Sequence, residues 1–152
     1  MFCSPFNSTL VDVPRPHLDP IATLQEALAV VALTARHPLI SESVLLHLDR
    51  NWCGVALSRV AHPRTIIFRD FHRALAHEVV ARCAATTDTT RAFIVTFRPG
   101  SPMAPGDVDA LLHIEAALGS AGYSLADWVV TGRGGFYCPR VLIDAPDPWD
   151  RR

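Results

Sequence analysis

The stretch of this chain that looks most like a site is VVTGRGGFYCPR, Val129 to Arg140, in which Gly132, Gly134 and Gly135 surround Arg133 and lead into Tyr137, Cys138 and Pro139. Glycines gathered around a cation could cradle a phosphate, but a cradle needs backbone N–H groups that converge at the start of a helix. Gly135 instead leads into a β-type run ending in proline, and neither G-x-x-x-x-G-K nor G-x-G-x-x-G is present. A hairpin turn with glycines at positive φ accounts for the motif without a ligand. Arg133 is left at the tip of that turn, where a guanidinium could pair with a phosphate or a carboxylate. Cys138 could act as a nucleophile beside a histidine, and nothing in the sequence places one there.

Other candidates have simpler explanations. Asp109 and His113 are four apart, so on a helix they share a face and could hold a metal or orient a base; with no third ligand at diagnostic spacing, an ordinary exposed side-chain pair is the favoured explanation. In DFHRALAHE, His72 and His77 are five apart and diverge on a helix, and H-E-x-x-H is missing. Ser41 and Ser43 lack the G-x-S-x-G elbow of a serine nucleophile. His37 precedes Pro38 at the expected end of a helix, where the dipole favours the imidazolium and a capping role suffices. Cys53 and Cys83 read as small buried hydrophobes. No metal and no cofactor are expected.

These residues must be positioned by one domain. The chain has 152 residues, and a globule of that size buries roughly 68 to 70% of its unfolded surface. All fourteen basic residues are arginine, a composition typical of GC-rich coding, so an arginine is not in itself a chosen ligand. The net charge of -1 gives no general attraction to nucleic acid or to an anionic membrane. Its distribution is uneven: Arg59 to Arg98 is basic, and Pro99 to Gly132 carries only Asp107, Asp109, Glu115 and Asp127. A basic helix face packed beside an acidic one explains this, and a dipolar surface for a partner is the alternative. Cys3, Cys53, Cys83 and Cys138 form no C-x-x-C pair, and no secretion signal or membrane-length apolar run is present. Reduced thiols in a cytoplasm are expected.

Residues 1–19 carry Pro5, Pro14 and Pro16 and read as an extended arm, succeeded by a domain over 20–143 and a polar tail over 144–152. Asp19-Pro20, or alternatively the capping box Thr23 to Glu26, should start a helix that runs to about Arg36. Ser43 to Val60 gives two β-type runs about a turn at Asp49-Arg50-Asn51. A short extended piece, Thr65 to Phe68, leads to a helix from about Asp70 to Ala85. RAFIVTF, Arg91 to Phe97, is apolar enough to lie mid-sheet. A third helix is expected from about Pro105 to Ser120, and ADWVVTG and GFYCPRVLI should form strands on either side of the glycine turn. The expected architecture is α/β: a single mixed sheet of about five strands, two hairpins plus a central strand, covered by three helices.

HPLISESVLLHL, His37 to Leu48, preceded by a Leu/Ala-rich helix, resembles the His-Pro-x-x-Ser-x-Val-Val-Leu signature of an uncharacterised actinobacterial domain of unknown function. SAGYSLADWVVTGRGGFYC, Ser120 to Cys138, resembles a later segment of that family, with its Gly-Arg turn and aromatic-Cys strand. The resemblance implies an actinobacterial or phage source and brings no activity with it. Members of that family usually carry further cysteines just after the position of Cys138 and are longer, so the chain reads as a short or truncated variant, without a clustered-cysteine metal or redox role.

The sequence therefore favours a non-catalytic protein-interaction or regulatory module, partnered by another protein or by a second copy. The alternative is an enzyme or binding protein for a small anionic or phosphorylated ligand, with Arg133, Arg98, Arg59, Cys138 and His37 around an arginine-lined cleft. A weak nucleic-acid binder acting through the Arg59 to Arg98 segment is a second alternative.

Overall fold

The computed structural model describes residues 13–34, 41–62, 68–98 and 106–151. Five strands form a single mixed sheet: β1 (Glu42–Leu48), β2 (Gly54–Ala61), β3 (Arg91–Phe97), β4 (Ser124–Gly132) and β5 (Gly135–Tyr137), in the order β2-β1-β3-β4-β5. All neighbours are antiparallel except β3 and β4, which run parallel and are joined through a helix. Three helices cover the sheet: α1 (Leu24–Ala32), α2 (Phe68–Ala85) and α3 (Asp107–Ser120). β3 lies at the centre, with both faces buried, as its apolar run requires.

The sheet has two cores. On one face Leu45, Ala92, Ile94, Trp128 and Val130 pack under Leu75 and Val79 of α2 and Leu111, Ile114 and Leu118 of α3. On the other, Val44, Leu46, Phe93, Val95 and Val129 pack under Ala27, Leu28 and Val31 of α1. β1, β3 and β4 thus divide their side chains between two covered faces. β4 carries one extra residue: Ala92 pairs with Leu125 but Phe93 pairs with Asp127, so Ala126 is bulged out of the ladder. No helix among the described residues is long and apolar enough to cross a membrane.

Several boundaries differ from the sequence reading. α1 starts on the alternative Thr23 to Glu26 cap rather than at Asp19-Pro20: the Thr23 hydroxyl caps the Glu26 N–H while the Glu26 carboxylate takes the Ala22 N–H. Phe68, expected to be extended, opens α2. The turn between β1 and β2 spans five residues, not three: the Asp49 carboxylate accepts the N–H groups of Asn51 and Cys53, and Trp52 sits at φ 66°. The last strand stops at Tyr137. Pro139 cannot donate to a ladder, and Pro139–Ile143 forms a 3-10 turn instead.

Candidate functional site

The residues singled out in the sequence are dispersed. Arg133 is exposed at the tip of the β4–β5 hairpin, a two-residue turn closed by Gly132 opposite Gly135, with Gly134 at φ 93°. Cys138, directly after β5, is buried, and burial pushes its thiol up to about 12. Arg98 makes a bidentate pair with the buried Asp107, at 3.0 and 3.1 Å. Arg59 holds the buried Glu42 at 2.7 Å and donates to the Thr34 carbonyl. Neither arginine presents an uncommitted cation to a cleft. His37 lies outside the described residues. Asp109 and His113 share an exposed face of α3, and no group of three metal-ligating side chains occurs among the described residues.

Cys138 belongs to a structural cluster on the α1 face. There the buried Asp127 accepts from Arg140 Nε at 3.1 Å, from Trp149 Nε1 at 3.0 Å and from the Trp128 N–H at 2.9 Å. Burial, the dominant influence, pushes the Asp127 carboxyl up, although these donors pull it down. Trp149 packs edge-on against Trp52 and Phe93, and Arg91 and Arg151 stack on Trp52 at 4.2 and 4.0 Å. The polar tail is therefore anchored by Trp149. A cleft of about 640 Å³ beside this cluster is lined by Thr23, Gln25, Arg140, Asp147, Trp149 and Arg151. Its arginines are already engaged: Arg140 by Asp127 and Asp147, and Arg151 by the Ile21 carbonyl and the Trp52 ring.

A different constellation, missed in the sequence, lies on the α2 face. Ser43 pairs with Val60 across β1 and β2, which brings His62, two residues further on, diagonally beside it. Ser43 Oγ lies 2.8 Å from His62 Nε2 and 2.7 Å from Thr96 Oγ1, and Thr96 Oγ1 lies 2.9 Å from Trp128 Nε1. Donor counting fixes the direction of this chain. The indole N–H can only donate, so it donates to Thr96. The Thr96 hydroxyl has no acceptor among the described residues except Ser43, so it donates there, and Ser43 in turn donates to His62 Nε2. His62 is consequently a neutral imidazole with its proton on Nδ1. A second proton on Nε2 would reverse the chain and leave a buried hydroxyl without an acceptor. Consistently, burial and then the charge of Arg98 lower His62 from 6.5 to about 4.

His62 opens onto a cleft of about 370 Å³ between β2 and α2, lined by Val60, Ala61, His62, Phe71, Ala74, Leu75, Glu78 and Arg82. Phe71 meets the His62 ring edge-on at 4.7 Å, and Glu78 and Arg82 pair at 3.5 Å where both are about 40% exposed or more. Apolar walls with a few convergent polar groups and a perturbed histidine are the features expected of a small-molecule site. The Ser43–His62 distance suits a nucleophile and its base, but Ser43 is completely buried and its hydroxyl is hydrogen-bonded on both sides, so no substrate carbonyl can reach it. No protein-family model, curated protein or solved structure matches the chain.

Proposed function

We propose that this protein is a non-catalytic module that binds a small molecule in the cleft between β2 and α2. The observation that carries the reading is the convergence of His62, Glu78 and Arg82 on walls formed by Val60, Phe71 and Leu75. Ser43 and Cys138, the nucleophile candidates discussed above, are both buried, and burial pushes the Cys138 thiol up to about 12. Binding without covalent chemistry suits this arrangement. The test uses Ala74, an exposed residue that lines the cleft. In a thermal-shift screen of metabolites, a ligand of this site raises Tm in the native protein and loses that effect in Ala74→Trp, which fills the cleft while keeping the core side chains. A set of binders indifferent to Ala74→Trp would refute the reading.

A second reading, association through a strand edge, is favoured by β2. It ends the sheet, contains eight residues with Arg59 as its one charge, and exposes Leu57. Such an edge accepts a strand from another chain, of which a second copy is the simplest. Light scattering across a wide concentration range should then show a dimer that Leu57→Lys dissociates; a monomer at every concentration rejects self-pairing.

A further inference from the structure

The polar set of the β2–α2 cleft also limits what the ligand can be, given that this cleft is the binding site. His62 lines the cleft, and the ring donor that its Ser43 contact leaves available is the Nδ1–H. Nε2 is committed to Ser43, and the chain from Trp128 through Thr96 and Ser43 keeps that commitment in one direction. The cleft therefore offers a fixed, uncharged N–H and asks for an acceptor. At its mouth Glu78 and Arg82 neutralise each other. Of the other described cations of this basic segment, Arg59 is held by Glu42, Arg98 by Asp107 and Arg91 against the Trp52 ring, and Arg73 is not among the residues that line the cleft. An anion would be stripped of water beside the Glu78 carboxylate, and a cation beside Arg82 and the His62 N–H; neither would find an unpaired counter-charge among the described residues that line the cleft. Val60, Phe71 and Leu75 offer apolar and aromatic surface, and about 370 Å³ accommodates a six-membered ring with a substituent.

We propose that the cleft takes an uncharged molecule with a ring-sized apolar body and one carbonyl-type acceptor, the acceptor placed on the Nδ1–H of His62 and the ring against Phe71. This differs from the phosphorylated or anionic ligand that the arginine-rich sequence suggested, because Arg59, Arg82 and Arg98 are each paired with a carboxylate in the fold.

Three probes of one shape and different charge test the inference: benzamide, benzoate and benzylamine, titrated into full-length protein labelled with ¹⁵N in its histidine rings. In the free protein the His62 ring should show a protonated Nδ1 and an unprotonated Nε2. Benzamide should shift Nδ1 in a saturable manner, with benzoate and benzylamine at least about tenfold weaker, and Ala74→Trp should abolish the response. If benzoate binds the same ring as tightly as benzamide, the uncharged-ligand inference is overturned while the cleft stands as the site. If the free protein carries its proton on Nε2, the donor assignment is overturned. If no probe perturbs the His62 ring, or if Ala74→Trp leaves the response intact, the cleft itself is rejected as the binding site.

Discussion

Thr96→Val is the sharpest perturbation of the buried hydrogen-bond chain. Thr96 Oγ1 accepts the indole N–H of Trp128 at 2.9 Å and contacts Ser43 Oγ at 2.7 Å, and all three residues are at most 2% exposed. Valine has nearly the same shape, so the substitution opens no cavity, but it leaves the Trp128 N–H buried in a dry core without an acceptor. That desolvation costs about 1 to 3 kcal/mol, and we expect a loss of about 2 kcal/mol in urea unfolding with an unchanged m-value. Thr96→Ser is the control. It keeps the hydroxyl and removes one methyl group, so it should cost no more than about 1 kcal/mol. The reasoning is refuted if Thr96→Val costs less than about 0.5 kcal/mol, or if Thr96→Ser is as damaging, since packing rather than hydrogen bonding would then be the cause.

The same chain sets a pH dependence. The folded His62 titrates at about 4 instead of 6.5, so the unfolded chain binds its proton more readily. Stability from this residue is fully present above pH 6.5 and is lost as pH falls from 6.5 to about 4, by about 3 kcal/mol at about 1.4 kcal/mol for each tenfold change in proton affinity. His47 and His72, lowered chiefly by burial, act in the same sense, whereas Asp127 and Glu115, raised chiefly by burial, act in the opposite one. The His62 share is read as the stability difference between native protein and His62→Gln across that range. A difference that does not change with pH contradicts it.

Arg140→Met should cost about 3 kcal/mol, because it leaves the buried Asp127 carboxylate without its cation, whereas Asp127→Asn should cost about 1 kcal/mol, since burial already disfavours the ionised form; urea midpoints in the reverse order would show that the pair is held mainly by its charge. Gly134→Ala meets open space, so its cost, about 1 to 2 kcal/mol, is backbone strain at φ 93° alone. Arg133→Ala beside it should change stability by less than about 0.5 kcal/mol; a larger loss would mean that this arginine has a structural partner. In a Cys3→Ser protein, Cys53, Cys83 and Cys138 should resist Ellman's reagent at pH 8 until denaturant is added, all three being free and buried. Rapid modification of Cys138 would restore it as a candidate nucleophile.

The architecture was legible because its signals are local. An uninterrupted apolar run marks RAFIVTF as the central strand, and the glycines of VVTGRGG mark a hairpin whatever packs around it. The candidate site was hidden by a register. A three-residue turn at Asp49-Arg50-Asn51 would set Leu48 opposite Trp52 and Ser43 opposite Leu57. The Asp49 carboxylate instead gathers the N–H groups of Asn51 and Cys53, a five-residue turn sets Leu48 opposite Gly54, and a bulge at Val55 adds one more residue, so that Ser43 lies opposite Val60. That slip of three residues is an odd number, so it also exchanges the faces of β2 and brings Ser58, Val60 and His62 to the side covered by α2. Asp127 was hidden for a different reason: its partners, Arg140 and Trp149, lie 13 and 22 residues away, in segments without periodicity. Arginine counting misled for the same reason, since the number of cations in a sequence does not show how many the fold pairs with carboxylates. What orients the His62 ring beside the β2–α2 cleft is the direction of a hydrogen-bond chain, a property that exists only once Trp128, Thr96, Ser43 and His62, from four separate segments of the chain, are brought together.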